Sequence, residues 1–210
     1  MPSPLFDNKA GTLAVVCVEC QNGMLGPDAV LPGLAADAGK LVENLSRLLY
    51  AARGRGIRVV HATYEGTSGG RPTGTARLWR ALGPAIAEWE PGATATKVID
   101  ELLAPSDLVL GRHHGLFPTL GTELLPVLRD LGIQTIVLGG VSLNLALPLT
   151  AGHATQAGFE VVVPRDAVGG SPTEYGEQVL DNTIAVLGRL TTVDELIAEW
   201  SDPDAFGVSS

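Results

Sequence analysis

Several ionisable side chains follow short apolar runs of this sequence, and their chemical types suit acid–base catalysis. Glu19 follows the valine-rich run Leu13–Val18, and Arg112, His113 and His114 follow a later apolar run. A carboxyl group can donate or accept a proton during a reaction, and a guanidinium can hold a carboxylate through two parallel hydrogen bonds. The simplest prediction is a pocket in which these groups meet.

Each of these side chains also has a structural interpretation. Glu19 and Arg112 can form an ion pair that only stabilises the fold, and His113 or His114 can be an exposed loop histidine. Four further side chains are interpreted as turn caps, packing residues or solvent-facing residues: Arg165, Asp166, His61 and His153. Both interpretations of the acid–base group therefore stay open at this point.

The two cysteines, Cys17 and Cys20, are interpreted as small buried hydrophobic residues at the end of the first apolar run. A zinc site would need a second pair of cysteines, and a redox Cys-x-x-Cys motif would need a helix start. The sequence also lacks the glycine-rich nucleotide-binding motifs, the Gly-x-Ser-x-Gly elbow and a His-Glu-x-x-His metal motif. We therefore expect no metal and no cofactor.

The composition narrows the class of protein. The chain has 210 residues, of which 45% are hydrophobic and 18% charged, and its formal net charge is −9. This is too apolar for a disordered chain, and the acidic balance argues against nucleic-acid binding. No apolar stretch reaches the roughly 18 residues of a membrane span, and residues 1–8 show no secretory signal. We expect a cytoplasmic protein with a single domain over residues 1–210.

Short apolar runs alternate with segments of helical spacing along the chain. The predicted strands are Leu13–Val18 and residues 57–62, 107–110, 133–138, 159–163 and 191–193. The predicted helices are residues 35–54, 77–89, 120–131, 143–158, 174–190 and 194–200, and a glycine-rich loop covers residues 64–74. Continuous apolar strands between helices indicate a three-layer, doubly wound α/β sheet, mostly parallel, with about six strands and helices on both faces.

In such a sheet, ligands bind beyond the carboxyl ends of the strands. The acid–base residues follow predicted strands, so we expect them at that edge, beneath a lid formed by the loop at residues 64–74. The substrate-binding residues expected around them also lie in segments that follow strands: Tyr64, Phe117, Gly140, Val141, Ser142 and Asn144. Backbone N–H groups after Gly140, at the start of a predicted helix, are suited to holding an anionic group.

Four segments of the chain together resemble the isochorismatase-like hydrolase superfamily, over about residues 12–200. They are residues 13–21 (LAVVCVECQ), 112–122 (RHHGLFPTLGT), 139–147 (GGVSLNLAL) and 150–167 (TAGHATQAGFEVVVPRDA). The last two are similar to the family's Gly-Val-x-Thr-Asn-x-Cys-Val and Thr-Ala-x-x-Ala-x-x-x-Gly runs, and together they are the most specific. The resemblance implies a Rossmann-like hydrolase fold, a small-molecule substrate and a homo-oligomer, either a dimer or a tetramer.

The family's machinery is an aspartate base, a lysine and a cysteine nucleophile, and this sequence departs from all three. The resemblance places Glu19 at the aspartate position and Ala146 at the cysteine position. The lysine position falls either on Arg112, which keeps the charge, or on His113, which keeps the spacing to Gly121. Alanine has no nucleophilic atom, so thiolate attack on an amide is not available here.

A cysteine is not needed when the reaction requires only proton transfer. Some family members hydrolyse a vinyl ether without it: a carboxylic acid protonates the enol-ether carbon, and water captures the oxocarbenium ion. By this resemblance Glu19 is the general acid and Arg112 binds a substrate carboxylate. The two roles oppose each other, because a nearby guanidinium favours the ionised form of a carboxyl group. The resemblance also implies a cis peptide bond at Val141–Ser142.

The leading hypothesis is a cofactor-free hydrolase of secondary metabolism that acts on a small, anionic molecule by acid–base chemistry. Two alternatives differ from it in kind. The first is a catalytically degenerate relative that binds a metabolite or serves as a scaffold, since all three positions of the machinery differ. The second is a cysteine hydrolase that uses Cys20 as its nucleophile.

Overall fold

One parallel sheet forms the centre of the molecule. The computed structural model describes residues 10–70 and 74–202; residues 1–9, 203–210 and residues 71–73 of the predicted loop lie outside the described residues. The strands are β1 (Leu13–Val18), β2 (Arg58–Tyr64), β3 (Leu108–Arg112), β4 (Thr135–Val141), β5 (Glu160–Pro164), β6 (Val168–Gly169) and β7 (Arg189–Thr191). Their order is β3-β2-β1-β4-β5-β7, with β6 beside β4, and each of these pairings is parallel.

Helices cover both faces of this sheet. They are α1 (Asn22–Leu25), α2 (Pro32–Asp37), α3 (Leu41–Gly54), α4 (Arg77–Leu82), α5 (Leu124–Asp130), α6 (Ala146–Gln156), α7 (Thr173–Val179), α8 (Ala185–Leu187) and α9 (Val193–Ser201). A π-helical turn, Leu180–Ile184, joins α7 to α8. The predicted doubly wound α/β fold is confirmed.

Every residue of β1 is buried, because the two faces of the strand meet different layers. Val16 and Val18 pack in a core with α5 and α6, whereas Val15 and Cys17 pack in a core with α3 and α9. The helix α3 contributes fully buried leucines to the second core: Leu45, Leu48 and Leu49. Burial of one leucine side chain stabilises a fold by roughly 1.5–3 kcal/mol, so these residues hold α3 firmly against the sheet.

The predicted elements differ most from the structure near the end of the chain. The helix predicted over residues 174–190 stops before Gly188, which has an extended backbone and lies close to β5. A Cβ atom at Gly188 would be 2.3 Å from the carbonyl oxygen of Val161. The last strand, β7, therefore begins two residues earlier than the strand predicted over residues 191–193. The two-residue strand β6 was not predicted. Three predicted helices are shorter in the structure, as α4, α5 and α6.

The strand order brings four strand ends together. Because β3, β2, β1 and β4 are neighbours and parallel, their carboxyl ends lie along one edge of the sheet. That edge carries Glu19 after β1, Tyr64 at the end of β2, Arg112 at the end of β3 and Val141 at the end of β4. Tyr64 and Arg112 are direct partners in the strand register.

Candidate active site

Glu19 and Arg112 form a buried ion pair at this edge. The Nη2 group of Arg112 donates a hydrogen bond to Oε1 of Glu19, and the two residues are only 5% and 8% exposed, respectively. Glu19 has a left-handed backbone with φ of 53°, and its N–H donates to the carbonyl of Ala62 at 2.9 Å. This conformation costs a non-glycine residue roughly 1–2 kcal/mol, so the surrounding structure holds the carboxylate in place.

The guanidinium of Arg112 makes weaker contacts elsewhere. Its Nη1 group lies 3.5 Å from the carbonyl oxygen of Thr63, and its Nε group lies 3.4 Å from that of Gly115. Its central carbon lies 5.3 Å from the ring centroid of Tyr64, in a cation–π contact. A guanidinium has five N–H donors, and within residues 10–70 and 74–202 the bond to Glu19 is the one short hydrogen bond of Arg112. The group is therefore suited to receive a further acceptor.

The Tyr64 ring that contacts the guanidinium belongs to an aromatic cluster. Tyr64 packs against Trp79 and Trp89, with ring centroids 5.3 and 6.1 Å apart, respectively. The Tyr64 hydroxyl is buried and has no hydrogen-bond partner within the described part of the chain. Burial raises the pKa of Tyr64, and the positive charge of Arg112 only partly opposes that rise. The hydroxyl is therefore a neutral donor at the edge of the site.

The position of Tyr64 is set by Gln21, which the sequence did not identify as a functional residue. The Nε2 group of Gln21 donates to the carbonyl oxygens of Tyr64 and Thr96, at 3.0 and 2.6 Å. Its Oε1 atom accepts from the backbone N–H of Tyr64 at 2.8 Å. Gln21 is fully buried and lies two residues after Glu19. In the sequence, only its position two residues after Glu19 indicated that Gln21 lies near the site.

The structure separates Arg112 from the two histidines that follow it. The Nδ1 atom of His113 lies 3.2 Å from the carbonyl oxygen of Gly66 and is not directed to Glu19. His114 is exposed, and its Nε2 atom lies 3.1 Å from the carbonyl oxygen of Gly121. Of the two candidates for the lysine position, Arg112 is therefore the one that meets the strand-end carboxylate. Phe117, on the same segment, is half-buried.

The end of β4 lies next to the end of β1 at this edge of the sheet. The Val141–Ser142 peptide bond is cis, as the resemblance implied. Gly140 has φ of 102°, and a Cβ atom there would lie 2.2 Å from the carbonyl oxygen of Val18. The carbonyl of Ser142 accepts from the N–H of Leu145, just before α6, and from that of Leu147 in its first turn, so these two amides already have a partner. Ala146, the first residue of α6, is buried and presents only a methyl group.

Asn144 has a structural role in this arrangement. Its Nδ2 group donates to the carbonyl oxygen of Ser171 at 2.6 Å, and its Oδ1 atom accepts from the N–H of Ser171 at 2.9 Å. Both polar ends of the amide therefore hold the loop before α7. The role of Asn144 in substrate binding stays a prediction.

Cys20 is unsuited to act as a nucleophile. It is 2% exposed and packs in the core formed with α3, whereas Ala146 packs in the core formed with α6. A hydrogen bond with Cys17 raises the pKa of the Cys20 thiol, and burial raises it further. Because the thiolate is the nucleophilic form, this environment makes the sulfur inert. The hypothesis of a cysteine hydrolase that uses Cys20 is therefore not supported.

Two kinds of feature are absent from the described part of the chain. Within residues 10–70 and 74–202, no group of three or more histidine, cysteine, aspartate or glutamate side chains is arranged to hold a metal ion. Over the same residues, no helix has the length and apolar character needed to cross a membrane.

Comparisons with known proteins identify relatives of this chain. An uncharacterised isochorismatase family protein of Escherichia coli O157:H7, YecD, is 33% identical over 89 residues, which are 42% of this chain and 46% of that protein. The match therefore spans about half the length of that relative. The maleamate amidohydrolase of Pseudomonas putida is 27% identical over 183 residues, 85% of this chain and 82% of that protein.

Solved structures show the same fold. A cysteine hydrolase from Pseudomonas syringae pv. phaseolicola 1448A aligns with a TM-score of 0.79 at 22% identity, over 98% of this chain and 100% of that one. The family model described as the Isochorismatase domain matches residues 13–195. The chain belongs to the isochorismatase family.

Proposed function

We propose that this protein is a hydrolase that acts on a small anionic metabolite by acid–base chemistry, without a covalent thioester. The buried Glu19–Arg112 pair at the strand ends is the observation that carries the proposal. Ala146 supports it, because the buried methyl group at the start of α6 offers no nucleophile. The hydrolytic activity in the names of related proteins, such as maleamate amidohydrolase, supports the reaction class.

Arg112 binds the carboxylate of the substrate in this proposal. Its guanidinium is buried, has donors left after its bond to Glu19, and can form two parallel hydrogen bonds to a carboxylate. The Tyr64 hydroxyl, which has no partner among the described residues, donates to another polar atom of the substrate. The rings of Tyr64 and Trp79, which contact each other, form the proposed apolar wall beside the charged group.

Glu19 supplies the proton in the proposed reaction. For a vinyl ether, the carboxylic acid protonates the terminal carbon of the double bond, and water adds to the resulting oxocarbenium ion. The hemiketal that forms then loses the alcohol and leaves a ketone, so one water molecule is consumed for each carbon–oxygen bond broken. A related carbon–nitrogen bond can be hydrolysed in the same sequence of steps.

A second candidate is a relative that binds a metabolite without turning it over. The observation that favours it is the closed Glu19–Arg112 pair, in which the carboxylate of the presumed acid is already neutralised by its neighbour. In this case the same side chains recognise an anion, and no bond is broken.

Turnover of 2-alkoxyacrylates tests the first candidate against the second. These compounds carry a vinyl ether and a carboxylate on one carbon, and their hydrolysis releases pyruvate, which a coupled lactate dehydrogenase assay detects. We expect Glu19→Gln to lower turnover by about 100-fold or more, the usual contribution of a general acid, with an unchanged circular dichroism spectrum. Glu65→Gln is the matched control, because Glu65 accepts from Thr63 instead of Arg112, and it should keep turnover.

Undiminished turnover in the Glu19→Gln variant would reject the mechanism. No turnover of 2-alkoxyacrylates or of small carboxylate-bearing amides by the unaltered protein would favour the second candidate.

A further inference from the structure

We infer that the site binds a carboxylate together with one proton: the ligand carboxylate takes Arg112 from Glu19, and Glu19 becomes protonated. This inference rests on the proposed function for the location of the site. It deepens that proposal by stating how the general acid acquires its proton.

The contacts of Arg112 show that it can change partner. Among the described residues its one short hydrogen bond goes to Glu19, and its contacts with the carbonyl oxygens of Thr63 and Gly115 are long, at 3.5 and 3.4 Å. A carboxylate that approaches the guanidinium therefore competes mainly with the carboxylate of Glu19. The cation–π contact with Tyr64, at 5.3 Å from the ring centroid, uses none of the N–H donors that the two carboxylates compete for.

The charge balance requires a proton when a second carboxylate enters. Glu19 and Arg112 together are neutral, and both are nearly inaccessible to water. Two carboxylates that share one guanidinium in such a place do not both stay ionised, because like charges at short distance disfavour each other and burial disfavours an unpaired charge.

The groups that contact the guanidinium besides Glu19, within the described part of the chain, carry no positive charge: they are the ring of Tyr64 and the carbonyl oxygens of Thr63 and Gly115. Tyr64 on β2 and the thiol of Cys20 are neutral, since burial contributes to a raised pKa in each. The imidazole of His113 is directed to the carbonyl of Gly66. A proton from solvent is thus the remaining way to balance the charge of the incoming carboxylate.

The balanced step forms one O–H bond and exchanges one ion pair. The ionised pair, the ligand carboxylate and one proton from solvent give a neutral Glu19 carboxylic acid and an ion pair between the ligand and Arg112. The proton donor then exists only when the anion is bound. Glu19 can then act as the acid while Arg112 binds the carboxylate, because Arg112 no longer favours the ionised form of Glu19 once it holds the ligand.

Benzoate is a suitable probe, because it combines a carboxylate with a ring that suits the wall formed by Tyr64 and Trp79. Titration calorimetry at pH 7 in phosphate and in Tris separates the heat of buffer ionisation from the heat of binding. We expect about one proton to be taken up per benzoate, and an affinity that falls about tenfold per pH unit between about pH 6 and pH 8. Benzamide, which has the same ring without the charge, should bind without proton uptake.

Variants assign the proton to Glu19. In Glu19→Gln we expect benzoate to bind with no proton uptake, with an affinity independent of pH and higher than that of the unaltered protein at pH 8. Glu65→Gln should keep both the uptake and the pH dependence. Arg112→Met should lose benzoate binding while it keeps a folded circular dichroism spectrum.

Several results would overturn the inference. They are benzoate binding without proton uptake in the unaltered protein, no benzoate binding at all, retained binding in Arg112→Met, and retained uptake in Glu19→Gln. Benzoate is not hydrolysed, so these results are independent of the turnover assay. Proton-coupled binding without turnover of 2-alkoxyacrylates would refute only the hydrolase proposal.

Discussion

A buried carboxylate outside the site gives a quantitative test of the structure. The side chain of Asp107, just before β3, is only 1% exposed and accepts five hydrogen bonds, of which the one from the Ser106 hydroxyl is long, at 3.4 Å. Arg53 on α3 donates to it from Nε at 3.0 Å and from Nη2 at 2.6 Å, the Nε2 atom of His61 lies at 3.1 Å, and the N–H of Ala104 donates at 2.9 Å. We predict that Asp107→Asn strongly destabilises the protein.

The magnitude follows from what the substitution leaves behind. Asparagine keeps one acceptor oxygen but turns an NH₂ donor toward side chains that are themselves donors, and the charge that balances Arg53 is lost. Removal of one partner from a buried ion pair costs about 3–5 kcal/mol. For a protein of this size, each kcal/mol lowers the unfolding midpoint by about 2–4 °C, so we expect a drop of roughly 6–20 °C at pH 7.

Differential scanning calorimetry of two aspartate variants measures this effect. Asp194→Asn is the matched control, because Asp194 also pairs with an arginine, Arg47, but the two side chains are 75% and 48% exposed. We expect little change in its midpoint, since exposed ion pairs contribute little. Equal midpoints for Asp107→Asn and Asp194→Asn would refute the reasoning.

The pH dependence gives a second check on Asp107. Burial alone would raise the pKa of Asp107, but the hydrogen bonds from Arg53, Ala104 and His61 outweigh burial and lower it from the usual 3.8. Because the pKa of Asp107 is lower in the folded protein than in the unfolded chain, its carboxylate stabilises the fold at pH values above the unfolded pKa. This stabilisation disappears as the pH falls through the pKa of the folded state. The difference in unfolding midpoint between Asp107→Asn and the unaltered protein should therefore disappear only in strong acid.

Two further predictions concern His61 and Gly140. Burial lowers the pKa of His61 in the folded protein from the usual 6.5, despite the contact with Asp107. The neutral imidazole therefore stabilises the fold fully above pH 6.5, and this stabilisation is lost as the pH falls through the lower pKa of the folded state. Urea midpoints that stay level from about pH 8 to pH 5 would contradict this. Gly140→Ala should lower the free energy of unfolding by about 1–3 kcal/mol more than Gly92→Ala does. Both glycines have a positive φ, but of the two new Cβ atoms only the one at residue 140 would meet backbone, the carbonyl oxygen of Val18. Equal urea stabilities of the two variants would contradict that expectation.

The sequence by itself determined the fold class, because burial on both faces leaves a pattern that depends on residue type alone. The run Leu13–Val18 is apolar at every position and is β1 with the same bounds. The sequence also placed Glu19, Tyr64 and Arg112 after strands, which in a parallel sheet predicts a common edge. The end of the helix predicted over residues 174–190 was not predictable, because it depends on the close approach of Gly188 to β5.

Only the tertiary structure decided which side chains meet. Arg112 and His113 are adjacent in sequence, and the choice between them follows from the register that pairs Arg112 with Tyr64 and directs it to Glu19. Gln21 reaches Thr96, 75 residues away, through a contact that no local pattern encodes. Spacing along the chain predicts which residues share an element, but the ion pair and the aromatic wall depend on which strands become neighbours in the sheet.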